Sequence, residues 1–109
     1  MYLHVVMMAF NQEVSASFRS QIETCFKGIA DECEGVARFD LVDNQSRTST
    51  AYTHALVSVF SDEAALDSYR TGAAHDRLMT QLGPHINEIV VLDSSLDNRA
   101  QPTNKTDEI

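Results

Sequence analysis

Basic residues are scarce in this chain: eight Lys and Arg stand against sixteen Asp and Glu, for a formal net charge of −8. Nucleic acid and an anionic membrane surface both attract the opposite sign, so neither is read as a partner. Long hydrophobic runs are missing as well. No apolar stretch reaches the roughly 18 residues that a membrane-spanning helix needs. The opening Met1-Tyr2-Leu3-His4 has no basic segment ahead of its apolar stretch, so it is not read as a secretion signal. Cysteine is rare. Cys25 and Cys33 fall on what reads as one helix, which sets their backbones roughly 12 Å apart at about 1.5 Å per residue. That distance exceeds disulfide reach. No second Cys or His pair sits at ligand spacing, so no metal and no cofactor is expected. Two core thiols suit a reducing cytoplasm, the expected location.

What is present fits one domain of 109 residues. Residues 3–10 are apolar at nearly every position and read as a strand buried on both faces. One face carries Tyr2, His4, Val6, Met8 and Phe10; the other carries Leu3, Val5, Met7 and Ala9. A helix follows, capped by Ser15 or Ser17, with Phe18, Ile22, Cys25, Ile29 and Cys33 forming an apolar stripe at spacings of three and four. Gly35 ends it. Residues 36–42 read as a second strand, 43–50 as a polar loop and 51–60 as a third strand. In that third strand His54, Leu56, Ser58 and Phe60 share one face, and Ala55, Val57 and Val59 share the other. Ser61 is the expected cap of a second helix containing Leu66 and Tyr69. Gly72 breaks it, and a further helix from Ala73 carries His75, Met79 and Leu82. Gly83-Pro84 stops that one, and residues 89–93 form the last strand. The domain is expected over residues 1–95, with 96–109 a polar, disordered tail.

The resulting order is β-α-β-β-α-β, the split βαβ arrangement of an α+β protein: a ferredoxin-like protomer with a four-stranded antiparallel sheet and helices on one face. The uncovered face poses a physical problem. Leu3, Val5, Met7, Ala55, Val57 and Val59 would present an apolar patch on a lone protomer. A second copy, sheet against sheet, is the simplest cover, which makes the chain a homodimer.

Several stretches add to this reading: Tyr2-Leu3-His4-Val5-Val6, Tyr52-Thr53-His54-Ala55-Leu56-Val57-Ser58-Val59-Phe60, Leu66-Asp67-Ser68-Tyr69, Ala74-His75 and Ile89-Val90-Val91-Leu92-Asp93. In order and spacing the chain resembles the stress-responsive dimeric α/β-barrel (Dabb) family. The resemblance implies a ferredoxin-like protomer and a dimeric α/β barrel. Many members are small stress-associated proteins without assigned chemistry. One plant member is a polyketide cyclase that closes a linear polyketide by intramolecular aldol condensation. By resemblance to it, Tyr69 and His75 are the catalytic pair, Asp93 orients His75, and His4 and His54 line the cavity, with Leu56 and Ser58 also on its wall.

Each of these residues has a plain packing reading beside the functional one. His4 and His54 lie on the helix-facing side of their strands, where they either line one cavity or act as satisfied core histidines. His75 is either a general base, suited by an ordinary pKa near 6.5, or a helix-terminal residue bonded to Asp93. Tyr69 is either a hydrogen-bond donor to a carbonyl or enolate oxygen or a core aromatic. No serine or cysteine nucleophile accompanies the pair, which favours proton abstraction beside a carbonyl over acyl transfer. Three functions follow. The first is a stress-type protein with a small-molecule cavity. The second is a cofactor-independent cyclase or lyase acting on a polyketide-like, enolisable ligand. The third is a monooxygenase like those of the related antibiotic-biosynthesis barrels, ranked last because the chain contains no Trp.

Overall fold

The computed structural model describes residues 1–96. Its elements are β1 (Tyr2–Phe10), α1 (Ala16–Glu32), β2 (Val36–Asp43), β3 (His54–Phe60), α2 (Glu63–Arg70), α3 (Ala73–Leu82), a 3-10 turn (Gly83–His85) and β4 (Ile86–Ser95). The strands form one sheet in the order β2-β3-β1-β4, with every neighbouring pair antiparallel. The three helices cover one face. This is the ferredoxin-like α+β arrangement expected from the sequence. The expectation of a disordered tail at 96–109 concerns, beyond Leu96, residues outside those described. Among the described residues no helix is long and apolar enough to cross a membrane.

The register sorts the sheet into rows. Facing the helices, Phe39, Ser58, His4 and Asp93 form one row, and Leu41, Leu56, Val6 and Val91 the next. Asp43, His54, Met8 and Ile89 form a third. The helices pack Phe18, Ile22, Phe26 and Ile29 of α1, Leu66 and Tyr69 of α2, and Ala74, Leu78 and Leu82 of α3 against the first two rows and Phe60. The outer face carries Leu3, Val5, Met7, Ala55, Val57 and Val59, joined by Val90 and Leu92 of β4. Arg38, Asp40 and Ser94 stand at its margins.

Local chemistry places the boundaries. Ser15 caps α1 by accepting a hydrogen bond from Phe18 N at 3.1 Å. The buried stripe runs through Phe26 rather than Cys25, and Cys33 lies just past the helix as its C-cap. Gly35 sits at φ +79°, where a Cβ would meet Ser61 Oγ at 2.7 Å and Ala65 Cβ at 2.8 Å. The close approach lets Ser61 N donate to Gly35 O at 2.8 Å. Asp62, not the expected Ser61, caps α2, accepting from Ala65 N at 2.8 Å. β3 starts at His54, later than expected. The Asn44 amide claims the carbonyls of Ser49 and Tyr52 at 2.7 and 2.6 Å and folds the preceding residues into the loop. β4 is longer than residues 89–93, because its ladder with β1 extends along the whole of that strand.

Candidate functional site

Where α2 and α3 leave the sheet, they enclose a cavity of about 440 Å³. Val6, Met8 and Leu56 form its floor, with Phe26 of α1 behind. Tyr69 and Arg70 of α2 and His75, Leu78, Met79 and Leu82 of α3 form its roof. Ile86, Asn87, Glu88, Ile89 and Val91 border it along β4, and His4 stands at one end. Spacings of three and four along α3 set His75, Leu78, Met79 and Leu82 on the cavity side. Gly72, the N-cap of α3, lets the chain turn between the two helices. That turn brings the Tyr69 and His75 rings edge to face, with centroids 5.1 Å apart at 88°.

Tyr69 is only 3% exposed and also packs against Phe39 and Phe60. Burial raises its phenol pKa above the ordinary range, with smaller contributions from Cys33 and Cys25. It therefore stays protonated as a hydrogen-bond donor. Burial lowers the pKa of His75; Asp76 opposes that effect, while His4 and Arg70 add to it. The His75 imidazole is thus held neutral at pH 7. No described residue hydrogen-bonds either of its ring nitrogens.

Asp93 does not orient His75. Its Oδ1 lies 2.5 Å from His4 Nδ1, and its Oδ2 accepts from Arg70 Nη2 at 3.2 Å. The cause is the register, which sets Asp93 directly across from His4 on the neighbouring strand. Ser58, on the opposite side of His4, is fully buried and donates its hydroxyl to His4 O at 2.7 Å. Ser58 thus supports the site from beneath and is not part of the cavity wall.

His54 is the other correction. The β1–β3 pairing puts it opposite Met8, two rows from His4, or roughly 13 Å along the strand. It binds Thr53 Oγ1 through Nδ1 at 2.7 Å and stacks edge-on against Phe10. It lies 3.6 Å from Asp43 Oδ1 through Nε2. Burial lowers its pKa, opposed by Asp43. The structure therefore brings together His4, Leu56, Tyr69 and His75 around one cavity, with Asp93 behind His4 and His54 elsewhere. Arg70, Phe26 and Leu78 were missed by sequence reasoning. Leu78 was accessible through the Ala74, Leu78, Leu82 spacing of four, and Arg70 through its place next to Tyr69 in the last turn of α2.

The split β-α-β-β-α-β order, the single antiparallel sheet and the cavity under its helices define a ferredoxin-like α+β domain. The chain belongs to the Stress responsive A/B Barrel Domain (Dabb) family, which it matches over residues 3–96. Similar solved structures include the Arabidopsis thaliana protein At3g17210, with a TM-score of 0.80 and 19% identity over 93% of this chain and 100% of that one. A dimeric ferredoxin-like protein of unknown function from Jannaschia sp. CCS1 has a TM-score of 0.75 and 25% identity, covering 87% of this chain and 98% of that one. Hydroxynitrile lyase from Passiflora edulis has a TM-score of 0.78 and 17% identity, covering 93% and 96%. Among curated proteins, none matches.

Proposed function

We propose that this chain is a stress-type barrel protein that works as a homodimer and holds a small, largely apolar carbonyl compound in its cavity. The observation that carries this reading is the cavity itself. Its volume of about 440 Å³ lies in the range of small-molecule sites, and it combines an apolar body with a few polar groups, most of them at the His4 end and Asn87 and Glu88 at the β4 border. Val6, Met8, Leu56, Leu78 and Leu82 suit a hydrocarbon portion; His4, Tyr69, Arg70 and His75 suit a polar head. Leu3, Val5, Met7, Ala55, Val57 and Val59 supply the dimer face, in keeping with the dimeric relative from Jannaschia. The two free thiols, Cys25 and Cys33, suit the cytoplasm.

The test is an NMR titration with methyl ketones of rising length, from 2-hexanone to 2-dodecanone. Saturable shifts at Leu56, Tyr69, His75 and Leu78 are expected. No saturable shift with any member, or shifts confined to the outer sheet face, would overturn the reading.

A second reading is proton abstraction beside the carbonyl, as a cofactor-independent cyclase or lyase requires. It is favoured by the juxtaposition of a neutral His75 with a protonated Tyr69. Neutral imidazole accepts a proton, and the phenol stabilises the developing enolate oxygen. The lyase from Passiflora edulis lends only the fold to this argument. Deuterium exchange at the α-carbons of 2-octanone in D2O reads the chemistry directly. An exchange rate equal to that of buffer would rule it out for this ligand class.

A further inference from the structure

Three side chains from three elements converge at one end of the cavity: His4 of β1, Asp93 of β4 and Arg70 of α2. We propose that His4, oriented by Asp93 and steadied by Arg70, is the group that takes the α-proton of a bound carbonyl compound, in place of His75. This rests on the acid–base reading of the cavity and assigns its base.

Asp93 divides its two oxygens between two donors, Oδ1 to His4 Nδ1 at 2.5 Å and Oδ2 to Arg70 Nη2 at 3.2 Å. A carboxylate oxygen facing a ring nitrogen at 2.5 Å accepts, so His4 Nδ1 carries the hydrogen. In the neutral ring the lone pair is then on Nε2. His4 lines the cavity, and no described residue bonds that Nε2. The bond to Asp93 sets the ring's direction, while Ser58 holds the His4 backbone from the other side at 2.7 Å. His75 has no such hydrogen-bonding partner among the described residues; its ring packs edge to face with that of Tyr69. A base with one tautomer and one direction is the better-placed proton acceptor.

The step balances without a further reactant. The Cα–H bond breaks, and its electron pair moves into the enolate, whose oxygen takes the negative charge. The proton goes to His4 Nε2. The imidazolium that forms is offset by Asp93, and Tyr69 and His75 are left on the α2–α3 wall to hydrogen-bond the oxygen. In a condensation the enolate carbon attacks a second carbonyl, and His4 returns the proton to the new alkoxide. Asp93 and Arg70 are positioning residues that act through His4.

Two measurements on the full chain test this. Long-range 1H–15N spectra report histidine tautomers without any ligand. The expected result is His4 as the Nδ1–H tautomer in the native protein, shifted toward Nε2–H by Asp93→Ala and loosened by Arg70→Met, with His75 unmoved. A His4 protonated at Nε2 in the native protein, or a His75 tautomer that follows Asp93→Ala, overturns the proposal. Exchange of 2-octanone in D2O is the second. His4→Gln is expected to slow it by roughly 100-fold or more, and His75→Gln by clearly less. The reverse order overturns the proposal. If the native protein exchanges no faster than buffer, proton transfer to this ligand class falls, while the tautomer spectra still decide whether Asp93 orients His4. Arg70→Met is an exposed change and remains informative if Asp93→Ala does not fold.

Discussion

His4 and Asp93 stand opposite one another in the β1–β4 register, and their side chains close that cross-strand pair with an Nδ1–Oδ1 separation of 2.5 Å. His75 shares no bond with Asp93. The two facts separate in a double-mutant cycle. His4→Ala and Asp93→Ala are expected to couple by about 1–3 kcal/mol in urea unfolding, the range of a charge-assisted hydrogen bond with little exposure. His75→Ala and Asp93→Ala are expected to add without coupling. A strong His75–Asp93 coupling would contradict the geometry.

Acid should loosen the fold through two histidines. Burial lowers the folded-state pKa of His75 and of His54 from the ordinary 6.5. Between each lowered value and 6.5 the unfolded chain holds more protons than the folded one, so stability rises with pH across that window. The stabilisation is complete above 6.5 and is lost as pH falls through 6.5 toward the lowered values. Denaturation midpoints from pH 7.5 to pH 5 are expected to decline, and His54→Gln combined with His75→Gln should flatten the decline. An unchanged slope in that double variant would show that other groups dominate.

Gly35→Ala is expected to destabilise the protein by about 1–3 kcal/mol through the left-handed backbone alone. The contacts at 2.7 Å with Ser61 Oγ and 2.8 Å with Ala65 Cβ add to that. Ser61→Gly in the same chain should recover only part of the loss, since it relieves one contact and leaves φ at +79°. Thermal melts of the two variants make the comparison.

Val57→Glu places a carboxylate in the middle of the outer sheet face, in the row of Asp40, Val5 and Leu92. If two copies pack there, an unpaired buried charge costs several kcal/mol. Sedimentation is expected to show a two-subunit species for the native chain and a single-subunit species for the variant. A variant as dimeric as the native chain would move the interface elsewhere.

Much of this fold was legible in the sequence because the periodicities are clean. The apolar run of β1, the alternation of β3 and the helix punctuation by Gly35 and Gly72 give the element order directly. The site was half legible. Tyr69, His75, His4 and Leu56 do meet, as the spacing and the resemblance implied. Register was what linear reasoning lacked. Knowing that β1 and β3 are neighbours does not say whether His4 faces Ser58 or His54, and antiparallel pairing sends residues 4 and 54 toward opposite ends of the strand pair. The same gap misassigned Asp93, since its partner follows from which β1 residue lies across from it. The cap of α2 was off by one residue: Ser61 and Asp62 are both good cap types, and Ser61 is still tied by its amide to Gly35, leaving Asp62 to open the helix.

One consequence follows from the place of β4. Ile89 and Val91 border the cavity, yet they belong to the outermost strand of the sheet and remain 49% and 47% exposed. If the cavity holds the carbonyl compound proposed above, that guest would slide in sideways across the rim without prising a helix away. Its hydrocarbon tail would not have to end where the cavity ends, since Ile89 and Val91 continue outward from it. Such a doorway would tolerate tails of different length, with the head group read at the far end beside His4 and Tyr69.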